Sequence, residues 1–453
     1  MLGGCASHHG YTLTDRTPVS NEIACRFGEG LRPATCPRVL VYPHGITLAD
    51  ELTEEKAVLL ALWNNAALLE LLTDLGVAQG DLVQAGLLPN PEVLYIFSVP
   101  DKPFKYLVDF PLESLWLRPI RVAAADREVE RVKQRLTQAG IDLIRDTRQA
   151  FADAVLAHGR RTVSNDAVRI RERIAALAQA RLDAGDISPQ ESSAAQIDAY
   201  RARQDFSRTD YDIGLAEERL RNLMGLSVDR TPLKLQLASR KYPAPPDVES
   251  LVQEAVDSRP DALAAAQFSA SASERLRLSK IGWVRFLGVL DATSGQRTGH
   301  EFSPGARMTL PIFNWNQGGI SRAEAELERA ERQRQTVNNQ IILDVHQSHL
   351  RYAQAQAELQ VLDQKVRPEV ETAIRRTDRA YQEGNTPYVV VLQTTQQLLD
   401  SRFREVQLQA DLRRAWSDLE RSVGRHLEDV PIAPRETLPA PLNAPAQDAS
   451  GGR

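Results

Sequence analysis

The sequence predicts a mainly α-helical chain with a small β part, built as two copies of one unit in which a pair of short strands feeds a long helical hairpin. Three observations predict this. RLDAGDISPQ at Arg181–Gln190 echoes AYQEGNTPYV at Ala380–Val389, and each glycine lies the same distance from a terminating glycine: 225 − 185 and 424 − 384 are both 40. DFPLESLW around Pro111 matches TLPIFNWN around Pro311, a shift of 200 that also places Ala123 on Ala323, Ala125 on Ala325 and Glu128 on Glu328. Two stretches, 122–184 and 320–366, contain no proline and are rich in Ala, Leu, Ile, Arg and Glu, as long helices require. The division that follows is an N-terminal arm over 1–50, a first repeat over 51–230, a second over 231–430 and a Pro/Ala-rich disordered tail over 431–453.

Composition bounds the function. With 42% hydrophobic and 25% charged residues the 453-residue chain is globular, not disordered. A net charge of −5 gives no electrostatic grip on nucleic acid. No run of 18 apolar residues is present, so no helical membrane span is predicted. A β-barrel span stays open, because its strands are short and alternate in polarity.

In the arm, Cys5 follows Leu2-Gly3-Gly4, which resembles the acylation box of bacterial lipoproteins. Lipidation of Cys5 is expected provided a signal segment lies upstream of the four residues that precede it. Cys25 and Cys36 are either a small disulfide loop or two free thiols, and no cysteine has the close partner that a zinc site needs.

The first helix is predicted from Leu52 to about Leu75, with Thr53 as N-cap ahead of Glu54 and Glu55. Pro89 and Pro91 stop it, and two β-rich runs then flank the turn at Pro100–Pro103. The rod from Val122 to Ala184 spans roughly 90 Å at 1.5 Å per residue. Val132, Leu136, Ala139, Leu143 and Ala150 mark it as a coiled-coil seam, with Asp146 as the one misfit. After the turn at Gly185–Pro189 a return helix is expected from Glu191 to Leu223. In the second copy, ALWNNAALL at Ala61 is matched by AVDSRPDAL at Ala255. Strands are predicted near Arg285–Thr293 and Arg307–Ile312, a rod over Ile320–Val366 with Pro368 beyond it, and a return helix after Pro387.

The segments LTEEKAVLLALWNNAAL, GLLPNPEV, FSPGARMTLPIFNWNQGG with ISRAEAELERAERQ, and EGNTPYVVVLQTTQQLLDSRFREVQLQADLRRAWSDLERSVG together resemble the outer-membrane efflux proteins of TolC type, over residues 50 to 430. GLLPNPEV is most similar to the branch serving heavy-metal resistance-nodulation-division pumps. The resemblance implies a homotrimer in which each chain gives four strands to a twelve-stranded outer-membrane barrel, above a periplasmic α-barrel of long hairpins. Physics agrees, since four strands alone leave open edges that lipid does not tolerate.

It further implies a passive exit duct, not an enzyme, for metal ions or drugs, coupled to an inner-membrane pump through a periplasmic adaptor. The turns Gly185, Asp186, Ser188 and Gly384, Asn385, Thr386, Pro387 are the implied adaptor contacts and gate. Relatives place aspartates just past the second turn, where this chain has Val390 and Gln393; the equivalent in the first copy is Glu191. Both Asp186 and Glu191 also suit a helix start. The alternatives are a periplasmic coiled-coil adaptor, which needs one hairpin in β-rich domains, and a soluble scaffold, which has no use for paired strands.

No cofactor or metal site is predicted. His346 and His349 lie three apart, but Asp344 points about 200° around the helix from His346, which fits a solvated face. Three methionines do not make a relay for soft Cu(I). SGQRTG near Ser294 lacks the Lys-Ser/Thr of a phosphate loop, and neither GxSxG nor HExxH is present.

Overall fold

The computed structural model describes residues 15–33, 40–48, 50–97, 104–237, 242–244, 247–295 and 299–427. Cys5, Cys36, the turn at 100–103 and the 431–453 tail lie outside the described residues, and with them the lipidation and disulfide expectations.

Each copy opens on a broken helix. Thr53 caps α2 (Glu54–Asn64) as predicted, its side chain accepting the Lys56 N–H at 3.2 Å. The single helix expected to Leu75 instead breaks at Asn65 into α3 (Ala66–Leu71) and α4 (Thr73–Gly86). Asn65 leaves the helix at ψ 119°, caps α3 by accepting the Leu68 N–H at 3.0 Å, and donates from Nδ2 to the Leu223 carbonyl at 2.9 Å. In the second copy α7 (Val248–Ser258) and α8 (Pro260–Ile281) break at Arg259, ψ 139°, whose guanidinium donates to the Ser422 carbonyl at 3.0 Å. The break residue thus caps the end of its own return helix in both copies. Beside each capped end sits the predicted terminating glycine, left-handed at φ 70° for Gly225 and 88° for Gly424.

The sheet has the order β1 (Glu92–Ile96), β2 (Phe104–Pro111), β3 (Phe286–Gly295), β4 (Gly299–Met308), all antiparallel. The fourth strand was expected at Arg307–Ile312. It ends at Met308, because Pro311 offers no N–H to a ladder, and the Gly- and Pro-containing run before it takes its strand form from pairing with β3. The register puts Val93, Tyr95, Tyr106, Val108, Phe110, Leu290, Phe302 and Met308 on one face, which carries no charge among the described side chains. Glu92, Lys105, Asp109, Asp291, Glu301 and Arg307 all fall on the other. There Lys105 pairs with Asp291 at 2.8 Å and Arg307 with Asp109 at 3.0 Å. An apolar face backed by a charged one is what a wall between lipid and water requires.

α5 (Glu113–Asp183) runs 71 residues without a break, roughly 105 Å, starting nine residues before the predicted Val122 and tolerating Pro119. α6 (Pro189–Leu223) returns alongside it. Its counterpart is interrupted: α9 (Gln317–Val361) passes through a π turn at Leu362–Val366 into α10 (Arg367–Gln382), and α11 (Tyr388–Val423) returns. The π turn lies immediately before Pro368, whose missing N–H and bulky ring a regular ladder would not accommodate.

The core sits at the waist, midway along α5. Val132, Leu136, Leu143 and Ala150 are buried as the seam predicts, but so are Thr137, Gly140, Ile141, Ile144, Phe151 and Ala154. At this level α5 is a central helix and not one strand of a coiled coil. α1 (Thr17–Phe27), from the arm, inserts Val19, Ile23 and Phe27 beside Leu62, Leu75, Leu136 and Ile144. Leu60, Phe151, Leu220 and Met224 fill a second cluster, and Ile341, Tyr352, Trp416 and Leu419 a third under α7. Arg26 of α1 donates to the carbonyls of Ser258 (2.8 Å) and Gly424 (3.2 Å), tying the arm to the second copy.

Buried charges join the copies at the same level. Arg148 of α5 pairs with Glu420 of α11 and lies 3.5 Å from Glu54; the Glu420 side chain is 1% exposed and also accepts the Leu427 N–H at 3.1 Å and contacts the His426 ring. Burial pushes the Glu420 carboxyl up, but Arg148, His426 and the Leu427 amide together outweigh it and hold it below its ordinary value. Arg421 bridges Asp142 and Asp344, each at 2.8 Å, and Asp344 also faces Arg259 at 3.5 Å. Asp344 is therefore engaged by arginines and not by His346 or His349. Among the described residues no helix alone is long and apolar enough to cross a membrane; the one bent pair with that composition, 54–86, is packed into the waist.

Candidate functional site: the hairpin tips and the barrel wall

Both hairpins turn the same way. The Gly185 N–H donates to the Leu182 carbonyl at 2.9 Å and the Asp186 N–H to Arg181 at 2.8 Å; the Gly384 N–H donates to Tyr381 at 3.1 Å and the Asn385 N–H to Ala380 at 2.9 Å. This paired closure needs a left-handed residue, and the two glycines supply it at φ 81° and 79°. Open space surrounds a Cβ built on Gly185, and one built on Gly384 meets only the end of the Arg181 side chain at 3.8 Å, so backbone conformation alone demands glycine here. The chain then restarts: Ser188 caps α6 by accepting the Glu191 N–H at 3.3 Å, and Pro387 holds the N-cap position of α11 without a side-chain bond.

Asp186, Ser188, Asn385 and Pro387 are exposed around these turns, with Thr386 half-buried. Glu191 is the third residue of α6, where a carboxylate favours the helix start, and is half-buried. Val390 holds the equivalent place in α11 and is also half-buried, while Gln393 is exposed. The predicted residues thus gather at one end of the molecule.

Behind them lies a cluster that sequence reasoning missed. Ala175 and Ala178 of α5, Ala195 and Ala199 of α6, Tyr381 of α10, and Tyr388 and Val391 of α11 pack the two hairpins together. Arg181 stacks over the Tyr381 ring at 5.0 Å. The Tyr388 hydroxyl donates to Asp198 Oδ2 at 3.1 Å, a hydrogen bond between α11 and α6. Burial, and then the Asp198 carboxylate, raise the Tyr388 hydroxyl above its ordinary value, so it stays a donor. No sequence signal marks this pair, because Tyr388 aligns with Pro189 and not with a residue that would point to Asp198.

At the opposite end, β2 stops, β3 starts and β4 stops at one edge of the sheet. Trp116, Trp283 and Trp315 gather there; Trp116 lies 6.1 Å from Phe286, and Trp283 lies 6.4 Å from Trp315. Trp116, Trp315, Phe313 and Ile312 are exposed. Such a belt sits at a membrane–water boundary. Among the described residues no group of three His, Cys, Asp or Glu side chains is arranged to hold a metal ion.

The family model for outer membrane efflux proteins matches residues 110–226 and 251–425, once over each copy. The cobalt-zinc-cadmium resistance protein CzcC of Cupriavidus metallidurans is 25% identical over 387 residues, 83% of this chain and 91% of that protein. Crystallised CusC superposes with a TM-score of 0.71 at 15% identity, covering 87% of this chain and 98% of that one. The outer membrane protein VceC of Vibrio cholerae gives 0.69 at 17%, covering 83% and 97%. The chain belongs to the outer membrane efflux protein family. It is a passive outer-membrane channel with a large periplasmic helical part, not an enzyme, and works in a tripartite system with an adaptor and an inner-membrane pump.

Proposed function

We propose that three copies of this chain close a twelve-stranded barrel and form the exit duct for divalent heavy-metal cations. The observation that carries the assembly is the sheet: four strands, open at β1 and β4, with every described charge on one face. Such a sheet satisfies its edges in lipid only by joining further copies. The cargo reading rests on likeness to a cobalt-zinc-cadmium resistance protein and on an inner face with four acidic and two basic residues per chain.

In this reading the turns at Gly185–Ser188 and Gly384–Pro387 receive the adaptor. The Tyr388–Asp198 bond holds the tips closed, Glu191 lies at the constriction beside Val390 and Gln393, and acylated Cys5 is an auxiliary anchor. Disrupting the gene and measuring growth in cobalt, zinc, cadmium, drugs and dyes tests the cargo: sensitivity to the metals alone is expected, and sensitivity to drugs alone overturns it. Native mass spectrometry of the purified protein tests the assembly, with a stable monomer as the contrary result.

A further inference from the structure

We propose that α6 of one protomer packs on α9 of the next through a small apolar seam, Tyr211 and Leu215 against Val361 and Ala357, so that helices hold the ring far from the barrel as well as strands within it. This seam presupposes the three-copy assembly above and fixes where, below the barrel, the protomers touch.

Two stripes are left uncovered by the described residues. On α6, Tyr211 and Leu215 are 74% and 73% exposed although they lie inside a 35-residue helix. Ile197, also exposed, precedes Tyr211 by two heptads on the same face. On α9, Leu343, Leu350 and Ala357 follow one another at heptad spacing, Val361 comes one turn later, and all four are exposed. Apolar residues at that spacing mark a helix seam.

The fold says what lies against them. At this level the layer runs α6, α5, α11, α9, because α6 packs on α5, α5 on α11 and α11 on α9. Tyr211 points about 200° around α6 from the buried Thr209, and Ala357 about 200° around α9 from the buried Ala355, so both stripes face away from the layer's interior. Strand closure then brings the two flanks together. Residues 87–91 join α4 to β1 and residues 309–316 join β4 to α9. Pairing β1 of one protomer with β4 of the next therefore sets α4, and α6 packed on the same α5, beside the neighbour's α9.

The heights agree as well. His158 and Glu217 meet at 3.1 Å and set α6 against α5; Arg160 donates to Gln407 at 2.6 Å and sets α5 against α11; the Arg404–Glu358 pair sets α11 against α9. Counted along each helix at 1.5 Å per residue, Tyr211 and Leu215 stand level with Val361 and Ala357 to within about one turn. A tyrosine and a leucine on one flank thus meet a valine and a small alanine on the other. Lipid does not reach this level, since Arg160 lies roughly 70 Å along α5 from Glu113 at the sheet, and a hydrocarbon core is only about 30 Å thick.

The test cross-links the full chain in outer membranes, in a Cys25→Ser, Cys36→Ser background. Tyr211→Cys combined with Val361→Cys should give covalent dimers and trimers with a bismaleimide spanning about 10 Å, the distance between packed helices. Either single variant should give none, nor should Tyr211→Cys with Glu331→Cys, which lies roughly 45 Å along α9 from Val361. Leu215→Asp, exposed within one protomer and so harmless to its fold, should speed dissociation of the heated trimer about tenfold. Trimers in native mass spectrometry that do not link through Tyr211→Cys and Val361→Cys, that link equally through Glu331→Cys, or that dissociate at an unchanged rate in Leu215→Asp overturn the seam and leave the three-copy assembly standing. A monomer overturns the assembly and the seam with it.

Discussion

The waist and the tip are held by different physics although the same helix runs through both. At the waist α5 is wrapped by α1–α4, α8 and α11, buries leucine, isoleucine and phenylalanine, and is joined to the second copy by the Arg148–Glu420 pair. At the tip the same helix presents Ala175 and Ala178 to a cluster of alanines, two tyrosines and a valine, with exposed or half-buried inter-hairpin hydrogen bonds from Tyr388 to Asp198 and from Arg171 to Gln396. Alanine buries far less apolar area than leucine, and burial scales with area. The lesson is that secondary structure does not set local stability here; what is laid across the helix does. Opening should begin where few large side chains must be separated, with the waist as the fixed point.

The largest effect expected from this contrast comes from Glu420→Gln. The substitution keeps the volume and removes the charge, leaving Arg148 buried with only Glu54 nearby at 3.5 Å. Removing one partner of a buried pair costs about 3–5 kcal/mol, measurable by denaturant unfolding. The corresponding change at the tip, Asp198→Asn, leaves an amide oxygen that still accepts from Tyr388 and should cost less than about 1 kcal/mol. Equal losses at the two sites would break the comparison.

Acid makes a similar cut reversibly. The carboxyl of Glu420 is held below its ordinary value of 4.5 in the folded chain. Its contribution is therefore fully present above that value and is lost as pH falls through the lower folded one, because the unfolded chain binds the proton first. Stability should decline below about pH 4.5 in the wild type, and less steeply in Glu420→Gln; parallel acid-unfolding curves would remove Glu420 as the cause.

The glycines sharpen the contrast at smaller scale. Gly225 and Gly185 share a left-handed backbone, φ 70° and 81°, so alanine at either costs about 1–2 kcal/mol from conformation. A Cβ on Gly225 would also stand 2.2 Å from the Asn64 carbonyl oxygen, whereas Gly185 faces open space. Gly225→Ala should therefore lower the melting temperature clearly more than Gly185→Ala. Matching shifts would mean that the waist yields as readily as the tip.

Which of these features the sequence reveals follows from how local their causes are. The tip turns were legible because a left-handed closure leaves a glycine in the chain, and it left one at Gly185 and again at Gly384. The Thr53 cap was legible for the same reason, since its partner is three residues away. The Asn65 break was not, because the group that stabilises it, the Leu223 carbonyl, is 158 residues distant. β4 was displaced because Gly299, Pro304 and Gly305 read as loop, and only pairing with β3 makes them strand. Arg148–Glu420 and Tyr388–Asp198 span 272 and 190 residues. A repeat predicts that two hairpins exist, but the register between them comes from packing, and the residues that lock it carry no pattern of their own.

The smallest effect on stability should carry the largest effect on conduction. Tyr388→Phe keeps the ring in the tip cluster and deletes only the hydroxyl that bonds Asp198 at 3.1 Å. The loss is about 1 kcal/mol, a small part of the stability of a chain whose waist is untouched, so the unfolding midpoint should scarcely move. At the tip, however, that bond is the hydrogen bond seen between α11 and α6, and the same energy applied to a closed–open equilibrium changes it by about fivefold per protomer. Raised pH should act less readily, because burial and the Asp198 carboxylate lift the Tyr388 hydroxyl above the ordinary tyrosine range and delay its ionisation. Planar-bilayer recordings should show the Tyr388→Phe channel opening more often at neutral pH, with Asp198→Asn intermediate because its amide oxygen still accepts. An unchanged open probability in Tyr388→Phe, with the fold intact, would make the tip as rigid as the waist and move the gate elsewhere along the duct.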